Sequence, residues 1–194
     1  MTTDAEPKLA PPGAGLPKIE LLIGQMLFGL KRLLGNRGSF DAEFAREREA
    51  VRRLLAGRSP AELSQRVLIE RPRGLEDSSR YWSAYMALEH LRIVHNEMAR
   101  VIGNLAREEM PAGTASTAAV KPGLGIGGEI VADFEASCDL LLRTVAAAPN
   151  LKTATRFAHP WFGPLDAHGW HALSGGHLRI HRVQIERILA GLKA

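Results

Sequence analysis

Apolar residues recur three and four positions apart along most of this sequence, and the strict alternation of apolar and polar residues that is typical of half-buried strands is hard to find. The spacing therefore predicts an all-α fold. Composition supports a globular core, because 45% of the residues are hydrophobic and 24% are charged. With 194 residues the chain is long enough for one domain and short for two, so we expect a single core.

Local signals for helix ends divide the chain into five principal helices. We expect these over about 17–34, 39–56, 78–106, 129–147 and 166–192, with a short helical turn at 59–67. Stretches rich in Pro and Gly between them are expected as loops, at 71–77, 110–128 and 149–163. The economical architecture is a four-helix bundle with an extra N-terminal helix, forming one domain over 17–194 behind a disordered tail over 1–16.

Charge and cysteine content exclude several classes of protein. The formal net charge is only +4, and the arginines at 46–58 alternate with glutamates, so neither indicates nucleic-acid binding. A single cysteine, Cys138, excludes an internal disulfide framework and a multi-cysteine zinc cluster; we interpret it as a small core residue. No signal-peptide pattern opens the chain, and the most apolar window, 21–30, is too short for a membrane span, so we expect a cytoplasmic protein.

The first predicted helix, over 18–34, is apolar around nearly its whole circumference. Such a helix is expected to be buried or covered by a partner. An interfacial membrane anchor and a dimerisation module are the alternatives.

All seven histidines lie after residue 89. His177 and His181 are four residues apart, so they share one face of the last helix with Cβ atoms about 5–6 Å apart. His90 lies among apolar residues of another long helix, and packed helices lie about 8–10 Å apart, so the three imidazoles can meet around one ion. The pattern predicts a metal site of His90, His177 and His181, with zinc or nickel as the ion. The alternative is a set of ordinary core or surface histidines.

The remaining histidines are not expected to be ligands of this ion. His95 is five residues from His90 and therefore points about 140° away from it. His168 and His171 form a weaker metal-pair candidate, expected to be exposed near a helix start. His159 is interpreted as a loop anchor, with a group reaching into the site as the alternative.

Two further patterns favour structural interpretations. Gly123, Gly125 and Gly128 match GxGxxG, but no strand precedes them, so a flexible crossover is favoured over dinucleotide binding. The aromatic cluster at 81–85 can stack on a ligand, but its spacing also suits core packing, which we favour.

Short segments at 82–84, 88–91, 159–165 and 177–181, together with Trp170, resemble the DinB/YfiT-like superfamily of helical metalloproteins. The branch with an HPxFG segment before an HLxxH pair is the most similar, and the resemblance extends from roughly Phe40 to the C terminus. It implies the same three ligands, His90, His177 and His181. The sequence departs from this branch at Ile180, where a further histidine is frequent, and at Gly175 and Gly176, which we interpret as a close approach, a local bend or room beside the ion.

Three histidine ligands leave a coordination position open, as in catalytic metal sites. The resemblance implies a metal-dependent transferase or hydrolase, acting on a small molecule with a low-molecular-weight thiol or water at the open position, and a homodimer as the assembly. The alternative is a non-catalytic metal-binding or stress-related structural protein.

Overall fold

The computed structural model describes residues 6–192. Its helices, in chain order, are α1 (Lys18–Leu34), α2 (Arg37–Leu55), α3 (Pro60–Ser64), α4 (Ala84–Ala106), α5 (Ile130–Ala147) and α6 (Ala167–Gly191). Two short antiparallel strand pairs complete it, β1 (Val67–Leu68) with β2 (Tyr81–Trp82) and β3 (Phe157–His159) with β4 (Gly163–Leu165).

Helices α2, α4, α5 and α6 form a four-helix bundle. Helix α6 packs against α2 and α4, and α4 also packs against α5. Large side chains at the centre are fully buried, among them Phe44, Leu88, Leu91, Phe134 and Leu178. The prediction of an all-α four-helix bundle with an extra N-terminal helix is therefore confirmed.

Each of α2, α4 and α6 begins directly after a residue whose side chain caps it. Only the cap of α6 is at the predicted position. Asp166 caps α6 by accepting a hydrogen bond from the Gly169 amide, as predicted. Helix α2 begins at Arg37 instead of near residue 39, because Asn36 and Ser39 form a capping box. Helix α4 does not begin near residue 78, because Ser83 is its cap. A 3₁₀ turn over Asp77–Ser79 and strand β2 occupy the intervening residues.

The N-terminal segment is held against the bundle by two acidic residues. Residues 1–5 of the expected tail lie outside the described residues. Residues 6–16 contain no helix or strand, but the amides of Gly13 and Gly15 donate to the Glu76 carboxylate, and that of Ala10 donates to Asp77. Glu76 also binds Lys121 and Thr117 of the crossover loop between α4 and α5, so one buried carboxylate joins three separate segments.

Helix α1 lies against α6, yet none of its residues is buried. Of the two expectations for this helix, burial within its own chain is therefore wrong, while cover by a partner stays a prediction. Leu21 and Phe28 are half-buried, and eight other large apolar side chains are exposed by 51–79%, namely Ile19, Leu22, Ile23, Met26, Leu27, Leu30, Leu33 and Leu34. Among residues 6–192, no helix combines the length and apolar character needed to cross a bilayer.

Candidate metal centre

The structure brings His90 of α4 together with His177 and His181 of α6. One ring nitrogen from each lies within 4.8 Å of the others. The Nε2 atoms of His90 and His177 are 3.2 Å apart. Zinc–nitrogen bonds of 2.0–2.1 Å in a tetrahedral site place two ligand nitrogens roughly 3.3 Å apart. The His90–His177 pair therefore has the spacing of a metal site.

Hydrogen bonds on the far side of two rings fix which nitrogen faces the centre. His90 Nδ1 donates to the Val120 carbonyl at 2.7 Å, and His181 Nδ1 donates to Gln184 Oε1 at 2.6 Å. Gln184 is in turn held by its Nε2, which donates to the Ser79 carbonyl at 2.7 Å. A histidine whose Nδ1 carries the proton has a lone pair on Nε2. Both rings therefore offer Nε2 as a ligand.

The third ring lacks such a partner. His177 Nδ1 is buried and makes no hydrogen bond to any described residue. Without an ion, His177 can carry its proton on Nε2 and donate to His90. To serve as a ligand through Nε2, His177 would have to carry its proton on Nδ1. The ligand set therefore consists of two oriented rings and one whose tautomer is not fixed by a partner.

Burial keeps the three rings uncharged. It lowers the pKa of His90 to about 4, and the pKa values of His177 and His181 lie well below the ordinary histidine value because burial and the neighbouring rings both disfavour the imidazolium. Neutral imidazole is the metal-binding form. All three are therefore in that form at neutral pH.

Trp82 and Lys121 border the cluster. The indole of Trp82 is nearly parallel to the His181 ring, with centroids 6.1 Å apart. The Lys121 ammonium lies 5.6 Å from the centre of that indole and pairs with Glu76 at 2.7 Å. Trp82 is buried, as the core-packing interpretation predicts, but it also forms one wall of the histidine cluster.

A cavity of about 320 Å³ adjoins the cluster, lined by α4, α6, the crossover loop and the β3–β4 turn. His90, His177 and His181 all reach it. His159 lies in the same wall, and its Nδ1 accepts a hydrogen bond from the Trp161 amide at 3.1 Å. Burial lowers the pKa of His159 to about 4. Both interpretations of His159 therefore hold, because it anchors its loop and also lines the space beside the cluster.

The other histidines lie apart from the cluster. His95 contacts Ser137 Oγ at 3.3 Å and Cys138 Sγ at 3.6 Å on α5, so the predicted difference in direction from His90 is confirmed. The expectation that His168 and His171 are exposed is wrong, since both are buried. His168 donates to the Arg32 carbonyl, and His171 lies 3.0 Å from Asp41. Within residues 6–192 they belong to no three-residue group of metal-binding geometry.

Of the two glycines before His177, Gly175 allows a close approach between helices, whereas a Cβ on Gly176 would make only an ordinary contact, 3.7 Å from Lys31 Nζ. A Cβ atom on Gly175 would lie 2.9 Å from the Glu43 carboxyl group of α2, and Glu43 pairs with Lys31 of α1. The close approach proposed for Gly175 is confirmed, but it faces α2, so the notion of room beside the ion is wrong for this residue. Cys138 is a buried core residue, as predicted, and burial raises its thiol pKa to about 12.

Sequence reasoning missed the groups that orient the ligands. Gln184 follows His181 by three residues, so helical spacing places it one turn away and offered a usable signal. The Val120 carbonyl is a backbone atom on a long loop and carries no signal in the sequence.

Comparisons with known proteins bear on the fold. No protein-family model matches the chain, and no curated protein matches it. Among solved structures, the crystal structure of TT2238, a four-helix bundle protein, is similar, with 24% sequence identity and a TM-score of 0.55. The match covers 77% of this chain and 97% of that chain. Likeness at this level of identity shows that the two chains share a four-helix bundle fold.

Proposed function

We propose that His90, His177 and His181 hold one divalent metal ion, zinc or nickel, in a protein of the DinB/YfiT-like kind. The observation that carries this proposal is the convergence of three uncharged imidazoles, two of which have Nε2 fixed toward the centre by bonds to Val120 and Gln184. Imidazole suits zinc and nickel alike.

The proposed activity is a metal-assisted transfer or hydrolysis on a small molecule. Three protein ligands leave a position open, and the cavity gives a small molecule access to it. An ion held by His90, His177 and His181 would supply Lewis-acid chemistry, making a water or thiol more acidic. The protein's own Cys138 contacts His95 of α4, and burial raises its thiol pKa to about 12. It therefore does not serve as the thiol, and the nucleophile is supplied from solution.

Metal analysis of protein purified without an affinity tag tests the ligand set. We expect one ion per chain in the wild type and none in His90→Ala or His177→Ala. The matched control is His95→Ala, which removes another buried histidine of α4 and should retain the ion. Undiminished metal content in His90→Ala contradicts the ligand assignment.

A non-catalytic, bracing ion is the second candidate function, because the ligands join α4 to α6. Thermal melting with and without a chelator separates the two. A large loss of stability on chelation, in a protein that binds no added thiol, supports an ion that only holds α4 to α6. A small loss, with a thiol binding to the metal-loaded protein, supports an enzyme.

A further inference from the structure

The cavity beside the histidines is large enough for a small molecule, at about 320 Å³. Most of its wall is apolar, contributed by residues such as Val94, Val101, Phe157, Trp161 and Ile180. An apolar wall gains free energy by covering apolar ligand surface.

The charged residues of the wall are already paired. Lys121 binds Glu76 at 2.7 Å, and Arg100 binds Glu97 at 2.8 Å near the mouth. A strongly polar ligand would have to break these pairs or leave its own polar groups unpaired, which costs free energy. The wall therefore disfavours a sugar-like or polyol body.

Besides the hydroxyl groups of Thr114 and Ser116, the wall offers a ring nitrogen outside the three-histidine cluster. His159 Nδ1 accepts from the Trp161 amide, so the proton of the neutral ring lies on Nε2. Within residues 6–192, that Nε2 makes no hydrogen bond and is not among the fully buried polar atoms. It can donate to a single polar head.

We propose that this cavity binds a small molecule with an apolar body and one anionic head, such as a thiolate, with the head at the three histidines. The inference rests on the proposed function and deepens it by naming the class of ligand. It differs from the general expectation of a low-molecular-weight thiol in requiring that the body of the thiol be apolar.

Cobalt-loaded protein tests the proposal, because a thiolate bound to cobalt produces a charge-transfer band. The probes are ethanethiol, butanethiol and hexanethiol, with 3-mercaptopropan-1-ol as the polar match to butanethiol. Affinity should rise about three- to fourfold for each added methylene group, and the hydroxyl-bearing match should bind at least about tenfold more weakly than butanethiol. Equal affinities across the series overturn the inference while leaving the metal site intact. A protein that binds no cobalt contradicts the proposed function and, with it, this inference.

A pair of alanine variants on the crossover loop places the apolar body. Ala115 is half-buried in the cavity wall, whereas Ala112 is exposed and outside it. Ala115→Leu should weaken hexanethiol binding at least about tenfold and leave ethanethiol binding unchanged. Ala112→Leu should change neither. Equal effects of the two variants on hexanethiol contradict this placement.

A second, independent observation concerns α1, whose polarity is inverted for a surface helix. Three of its four charged side chains turn toward the bundle: Glu20 pairs with Arg71, Lys31 with Glu43 and Arg32 with Asp166. Its exposed face carries eight large apolar side chains. Surface helices ordinarily present the opposite arrangement.

The exposed apolar face has the spacing of a helix-pairing seam. Ile19, Ile23, Met26, Leu30 and Leu33 follow one another at intervals of four, three, four and three residues, which is the a/d pattern of a coiled coil. The eight exposed side chains present on the order of 1,000 Å², and a stable interface buries about 800 Å² per partner. The face is therefore large enough to hold a partner on its own.

From these observations we infer that α1 pairs with α1 of a second copy of this chain, in a two-fold symmetric dimer. An anionic lipid surface is the less suitable occupant, because it requires basic side chains beside the apolar face. Lys31 and Arg32 instead pair with acidic residues of the bundle, which leaves Lys18 as the one exposed basic residue of α1.

Sedimentation velocity of the full chain tests this pairing. We expect a dimer at about 10 µM, and a monomer with unchanged helix content in the double variant Met26→Glu/Leu30→Glu. The control is Met110→Glu/Leu124→Glu, which alters two similarly exposed apolar residues of the crossover loop and should remain dimeric. A monomeric wild type at 100 µM, a variant that stays dimeric, or a monomeric wild type that sediments with anionic vesicles overturns the inference.

Discussion

Gln184 connects the histidine cluster to the 3₁₀ turn before β2. It accepts from His181 Nδ1 and donates to the Ser79 carbonyl, and its side chain is fully buried. A partner of this kind holds a metal ligand in orientation and raises its basicity. Its contribution should therefore appear in metal affinity before it appears in metal stoichiometry.

Replacing Gln184 by Ala should lower metal affinity about 10- to 100-fold, because the His181 ring loses its orienting acceptor. Gln184→Glu should retain much of the affinity, since a carboxylate also accepts from Nδ1. Competition against a coloured chelator measures both. The exposed Gln65→Ala is the control, and an effect of that variant equal to that of Gln184→Ala would contradict the role assigned to Gln184.

Unlike Gln184, His95 has a polar atom without a partner: its Nε2 is buried and makes no hydrogen bond to any described residue. Leucine has a similar volume and no polar atom to desolvate. His95→Leu should therefore leave the free energy of unfolding unchanged or raise it by about 1 kcal/mol, with metal content unchanged. Urea unfolding measures the first and elemental analysis the second. A loss of more than about 2 kcal/mol would contradict this prediction and show that the Nδ1 contacts with Ser137 and Cys138 outweigh the unpaired Nε2.

Among the elements, the crossover loop has the largest influence on the site. Its Val120 carbonyl holds His90, and the adjacent Lys121 holds the loop to Glu76. The same carboxylate accepts from the N-terminal segment. The position of the crossover loop and the orientation of the His90 ring are therefore coupled through Val120 and Lys121.

Glu76→Gln should destabilise the fold by about 2 kcal/mol, because it leaves the largely buried Lys121 ammonium without its counter-charge. Metal affinity should fall as well, since the Val120 carbonyl is released with the loop. Thermal melting and chelator competition check the two effects. Glu109→Gln removes an exposed pair with Arg107 and should change neither measurement.

The long helices were predictable because helical periodicity is a local property of sequence. The two strand pairs were not, since pieces of two or three residues are too short to show alternation. The start of α4 was misplaced because Ser78, Ser79 and Ser83 are all good caps. Pairing of β2 with β1, which depends on tertiary structure, decides among them.

In the candidate site, too, the features set by local sequence were predictable and those set by tertiary structure were not. The shared face of His177 and His181 follows from the period of one helix, and His90 was found because a histidine amid apolar residues must face a core. The orientation of α1 was not predictable, since its sequence is apolar on most sides and three of its charged residues select the face that packs on the bundle. The cavity depends on loop conformation, which composition does not determine.

At the scale of the whole molecule, buried neutral histidines make stability depend on pH. Burial lowers the pKa of His95 to about 3 and that of His159 to about 4, whereas both titrate near 6.5 when the chain unfolds. Between these values the unfolded state binds more protons than the folded state. Stability therefore falls as the pH drops below 6.5.

We expect metal-free protein to lose about 1 kcal/mol of stability per pH unit between pH 6 and pH 5 for each buried neutral histidine, which includes His90, His177 and His181 as well as His95 and His159. Urea unfolding at the two pH values, with chelator present, measures the loss. His95→Leu should reduce the total loss by about 1 kcal/mol per pH unit, the share of one histidine. A stability that is flat or that increases toward pH 5 would contradict the buried, neutral state of these rings.

The distance along the chain between the ligands sets when the site can be completed during synthesis. His177 is made 87 residues after His90. At roughly 5–20 residues per second, a ribosome takes about 4–17 s to make this stretch. During that interval α4 lacks the helix that covers its histidine face. Loading of the proposed ion would therefore follow translation of α6, because a nascent chain that has progressed only to α5 has one of the three candidate ligands.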